Sequence, residues 1–177
     1  EAMGPDEIDK RKAGWMRGEQ FKAIYDQVGP AVIELFNQAG GMQPMLFWVK
    51  LEEVENTTVQ AAGQVAAQEA VTRLFKEGVA QELLPLMVRD LLDTASVPDE
   101  LGGGRIDAVV VVGETSVNRN EGATAVKQDA LGIWVHSRDR TEWSLLPVEK
   151  CEGARTCAWR EMEVSESGRR GRMTMCP

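Results

Sequence analysis

Apolar side chains recur at three-to-four spacing at Phe21, Ile24, Val28, Val32, Leu35 and Phe36, which predicts helix from about Asp6 to Gln38. Pro30 lacks an amide proton and crowds the preceding turn, so two short helices or one bent one are expected. Gly40-Gly41 supplies the stop. The short aromatic and apolar run Met45 to Leu51 reads as a strand. Beyond it, Asn56, Thr57 or Thr58 is placed to cap a helix whose Ala62, Ala66 and Ala70 share one face and lead to Leu74. Gly78 breaks the pattern. A further helix then carries the stripe Leu84, Met87, Val88, Leu91 and Leu92, with Pro85 tolerated near its start.

Ser96 to Gly104, with Pro98 and Gly102-Gly103-Gly104, is the clearest loop, and strand patterns follow it. Ile106 to Val112 is apolar at consecutive positions, as a central strand buried on both faces would be. Leu131, Ile133 and Val135 alternate with Gly132, Trp134 and His136, and Trp143 to Leu146 lies beyond a polar turn at Ser137 to Thr141, which makes a hairpin. Cys157 to Val164 and Arg172 to Cys176, joined by Ser167-Gly168, read as two further strands. Short connections favour antiparallel pairing. The expected fold is α+β, with the N-terminal helices packed on one face of a mostly antiparallel meander sheet. Residues 1–4 resemble an expression scar; 5–177 is read as one domain, with a helical half over about 5–96 and a strand half over about 105–177. Should Val110 and Val112 face outward alongside Trp134 or Trp143, the exposed apolar area would argue for self-association.

Charge alters the picture of partners. With 28 acidic and 20 basic residues the chain has a net charge of -8, a field that repels phosphate backbones, so general nucleic-acid binding is not expected. Its longest apolar run, Ala108 to Val112, is far too short to span a bilayer, so no membrane partner is expected either. The charged start, Glu1 to Lys12, lacks the apolar stretch of a secretory signal. Cys151, Cys157 and Cys176 are an odd number in a chain large enough to fold without them, which points to reduced thiols and a cytoplasmic location.

Candidate chemistry is sparse. Gly102-Gly103-Gly104 precedes a strand, whereas a phosphate-cradling loop follows a strand and opens a helix. A zinc site would combine His136 with the three cysteines, but Cys151 and Cys157 are spaced too widely for a tight ligand pair, so no metal and no cofactor are assigned. The same two cysteines bracket the turn at 152–156, where a hairpin could set them at bridging distance. Glu114 follows the buried run and shares its face with Val110 and Val112, the placement in which a carboxylate is desolvated. Glu114, His136 and Arg138 therefore form the candidate polar site. Arg169, Arg170 and Arg172 form a basic cluster able to contact an anion, or else a solvated hairpin tip.

The stretch 107–116 (Asp-Ala-Val-Val-Val-Val-Gly-Glu-Thr-Ser), a loop of about ten residues, and the stretch 129–140 (Asp-Ala-Leu-Gly-Ile-Trp-Val-His-Ser-Arg-Asp-Arg) leading to Trp143 resemble uncharacterised bacterial and phage proteins. The resemblance covers about 40 residues of turn and strand chemistry. It implies a compact bacterial or phage accessory protein and carries no activity or site residue. Two functions are weighed: a non-enzymatic domain that binds a protein partner or itself as a homo-oligomer, and a small-ligand binder or enzyme with a pocket between helices and sheet.

Overall fold

A computed structural model describes residues 16–52, 57–65 and 68–160. Helix α1 spans Gly18–Ala39. It is followed by strands β1 (Met45–Leu51) and β2 (Val59–Gln64), helices α2 (Gln68–Lys76) and α3 (Ala80–Thr94), and a short 3-10 turn at Asp99–Leu101. Strands β3 (Ala108–Glu121), β4 (Thr124–His136), β5 (Thr141–Cys151) and β6 (Ala154–Cys157) complete it. The six strands form one sheet in the order β2-β1-β3-β4-β5-β6, antiparallel throughout. The α+β class and the antiparallel meander stand.

Strand β3 holds the centre as its sequence required. Ala108 to Val112 are all fully buried, because alternate side chains enter two separate cores. Val110 and Val112, with Leu131, Ile133 and Val135 of β4, face Phe21, Ile24, Val32 and Phe36 of α1. Val109, Val111 and Trp134 face Val71 of α2 and Leu84, Val88 and Leu92 of α3. The N-terminal helix thus covers one face and the helix pair the other. That pair lies in the connection from edge strand β2 to β3; both strands run antiparallel to β1 between them, so the chain must cross over it. The outward-facing valines entertained as a self-association surface are not outward: both faces are covered from within the chain.

Two expectations need correction. Residues 59–64, expected in an alanine-striped helix, form β2 against β1. Gly63 lies directly under Trp48, where a Cβ would stand 2.7 Å from the indole, so the ring shields a stretch of small side chains. Of the two alternatives at Pro30, the structure has the single helix, with Pro30 inside it. The last described strand is Ala154–Cys157, not one starting at Cys157, since the β5–β6 hairpin turns tightly at Glu152 and Gly153, both at positive φ. The rest of the expected strand pair, including Val164 and Cys176, lies outside the described residues, as do Arg169, Arg170 and Arg172.

The tight turn also settles the cysteines. Cys151 pairs with Ala154, and Cys157 with Val148. Three residues of strand, roughly 10 Å, therefore separate the position opposite Cys151 from Cys157, beyond bridging distance. Both thiols are free, Cys151 exposed and Cys157 buried.

Candidate functional site

The three residues expected to converge do not. Glu114 lies on the α1 face, paired with Leu131, while His136 lies on the Trp134 face, paired with Val109. His136 is buried: Nδ1 is 2.8 Å from the Thr141 hydroxyl, and burial pushes its pKa down to about 4. Arg138 donates from Nη2 to the carbonyls of Leu92 (2.6 Å) and Ile106 (2.8 Å). It thereby satisfies an acceptor in the last turn of α3, a fastening role. Burial lowers its pKa.

Glu114 belongs to a different group, which sequence reading did not find. Arg155 of β6 reaches across the α1 face and donates from Nη2 to Glu114 Oε1 (2.7 Å) and Asp129 Oδ2 (3.2 Å), and from Nη1 to the Gly40 carbonyl (3.0 Å). The Met42 amide donates to Glu114 Oε2 at 3.1 Å. One guanidinium thus joins β6, β3, β4 and the loop after α1, its fork matched to several acceptors at once. The hydrogen bond to Glu114 holds the Arg155 pKa above its ordinary value. This network leaves Glu114 engaged, without the unpaired carboxyl that acid–base catalysis would use. Among the described residues no group of three His, Cys, Asp or Glu side chains is placed to hold a metal.

Beyond this knot the sheet narrows to an arm. β1 pairs with β3 only as far as Met45↔Val112, where Pro44 precedes the strand. β5 pairs with β4 only as far as Pro147↔Ala130, and then turns to β6. Proline cannot donate to a ladder, so both neighbours stop where their sequences dictate. β3 and β4 continue alone from Ser116↔Asp129 to Glu121↔Thr124, roughly 20 Å of two-stranded ribbon. The expected ten-residue loop is therefore this hairpin, turned at Gly122 with positive φ. Asn118, Asn120 and Gly122 to Lys127 are exposed, and Val126 is 41% exposed. Among the described residues, no strand lies beside either outer edge of the arm.

A two-stranded ribbon without a core is marginal in water, and an open edge is a template for another strand. The arm is therefore the feature that packing within the described chain leaves unexplained. The missed signal was the even spacing of polar and small residues through 115–128, which reads equally as loop or as ribbon. Comparison of the chain with protein-family models, with curated proteins and with solved structures finds no match.

Proposed function

We propose that this chain is a non-enzymatic protein-interaction domain that self-associates through the β3–β4 arm. The observation that carries the reading is the arm itself, a two-stranded ribbon beyond a body whose sheet faces are already covered, with no strand beside either of its edges among the described residues. Self-recognition needs no second gene product, and a strand edge is self-complementary when two copies meet about a two-fold axis. The pocket reading has less support, since Glu114 is spent on Arg155 and His136 lies across the sheet from it. The resemblance of the strand half to bacterial and phage proteins, together with free thiols, fits an accessory protein of the bacterial cytoplasm. No helix among the described residues is long and apolar enough to cross a membrane.

The test shortens the arm. Joining Thr115 to Ala130 through Asn-Gly keeps the last rung beside the body and provides a two-residue turn. The full chain is expected to scatter light as a dimer at tens of micromolar, and the shortened chain as a monomer with unchanged far-ultraviolet dichroism. A full chain that stays monomeric at the highest soluble concentration defeats the proposal.

A further inference from the structure

The end of the sheet opposite the arm holds a cation that the fold leaves unpaired. Lys50 of β1 follows Leu46 and Trp48 on the face toward α2 and α3 and is only 7% exposed. Its ammonium lies against the Gly102-Gly103-Gly104 loop, where a Cβ on Gly104 would fall 2.9 Å from Nζ. Among the described residues Lys50 makes no side-chain hydrogen bond and no ion pair. Lysine is almost never withdrawn from water so far without a partner, because a charge that gives up hydration needs a replacement for it. Nζ is not sealed as His136 Nε2 and Arg138 Nε are, so it stays within reach of solvent. We infer that Lys50, the Gly104 amide and the Gln60 side-chain amide form a binding site for a small oxyanion, a phosphate or carboxylate group. This site is independent of the arm.

Irregular backbone brings these donors to one loop. Lys50 pairs with Ala61 but Leu51 with Val59, so Gln60 is the extra residue of a bulge. Bulges re-aim side chains, and Gln60 Nε2 comes 2.8 Å from the place of a Gly102 Cβ. The amides of Leu101, Gly102 and Gly103 donate to the Pro98 and Asp99 carbonyls, which leaves the Gly104 N–H without an acceptor among the described residues. Gly102, Gly103 and Gly104 all have positive φ (110°, 64° and 84°), a shape that a side chain would strain. The acids nearby are not turned to the ammonium. Asp107 Oδ2 accepts from the Leu51 amide at 2.7 Å, and Asp99, whose Oδ1 lies against Gly103, makes no ion pair with Lys50. Arg105, next in the chain, is exposed and adds a flanking guanidinium. An ammonium with N–H donors beside it is what a small oxyanion accepts from. A polyanion fits poorly, because the net charge of -8 repels it beyond the loop.

Footprinting the full chain by reductive methylation reads the site without a mutation. At matched ionic strength, inorganic phosphate or acetate in place of chloride should slow the modification of Lys50 several-fold, while the exposed Lys22, Lys76, Lys127 and Lys150 react as before. Protection by phosphate identifies a phosphoryl group as the ligand and protection by acetate a carboxylate, and either supports the site. Equal reactivity of Lys50 in all three salts overturns it. Lys50→Met keeps the stem and removes the charge. Because a ligand that binds only the folded state stabilises it, exchanging chloride for phosphate should raise the melting temperature of the wild type more than that of Lys50→Met; equal rises overturn the inference. In chloride the variant should melt no lower than the wild type. A lower melting temperature that Asp99→Asn reproduces would make Lys50 the counter-ion of Asp99 and also overturn it.

Discussion

His136 shows how far a side chain's chemistry is set by where the strand delivers it. It occupies the last position of β4 beside Val109, and its Nε2 is buried with no hydrogen-bond partner among the described residues. A charged imidazole there would lose its hydration with nothing to replace it, which is why its pKa drops from 6.5 to about 4. The sign for stability follows directly. Above pH 6.5 the ring is neutral in both folded and unfolded chains, and stability does not depend on its titration. As pH falls from 6.5 toward 4, the unfolded chain takes up a proton that the folded chain refuses, so stability declines, by up to about 3 kcal/mol. Carboxylates contribute their own slope at the acid end, so the measurement is a difference. The urea midpoint of the wild type should fall more steeply between pH 7 and 5 than that of His136→Gln. Equal slopes would show that the ring is hydrated or paired in the folded protein. Glu114 is the contrast: it sits where the sequence placed it, on the Val110 and Val112 face, yet Arg155 and the Met42 amide turn it from a reactive candidate into a fastening.

At the scale of elements, legibility tracked the size of the side chains that carried each pattern. The stripes of α1 and α3 and the alternation in β4 and β5 were readable because large apolar groups have one place to go. In β2 the small residues Ala61, Ala62 and Gly63 carry little periodic signal, and what shields them, the Trp48 ring, comes from another strand. The run Ala108 to Val112 did demand cover on both faces, so the division of the helices was implicit in it. What hid the answer was that α2 and α3 are reached only through the misread β2. Arg155 was illegible for another reason: its register follows from the Glu152-Gly153 turn, which no apolar pattern announces. The element packing also makes a sharp prediction at Gly29 of α1. Trp159 stacks on Tyr25 with ring centroids 4.6 Å apart and lies so close to Gly29 that a Cβ there would collide with the indole. In an open helix, Gly→Ala stabilises by about 1 kcal/mol. Here the displaced ring forfeits its stacking and part of its burial, so Gly29→Ala should destabilise by about 1–2 kcal/mol. In a Trp159→Ala background the sign should reverse. A urea double-mutant cycle measures this, and an unchanged sign would mean that the indole yields freely.

For the whole molecule the unresolved tension is between a repulsive surface and an adhesive arm. The body hides both faces of its sheet and keeps its two cores separate, and the chain as a whole carries a net charge of -8. Such a body stays dispersed by itself. The arm breaks that rule, with edges that no neighbouring strand among the described residues satisfies. If association proceeds edge to edge through backbone hydrogen bonds, charge opposes it only through the bodies that the arms bring near each other. That repulsion is screened over about 10 Å at 0.1 M salt and over about 30 Å at 0.01 M. Raising the salt from the lower to the higher concentration should therefore tighten the dimer, by a few-fold to about tenfold, given that 1.4 kcal/mol is one decade in affinity. Sedimentation velocity across that range reads the change directly. Weakening with salt would require opposite charges in contact across the interface, for which Arg169, Arg170 and Arg172 against an acidic surface would be the first suspects. The direction of the salt effect thus separates pairing by the arm's backbone from pairing by the chain's basic cluster, without altering a single residue.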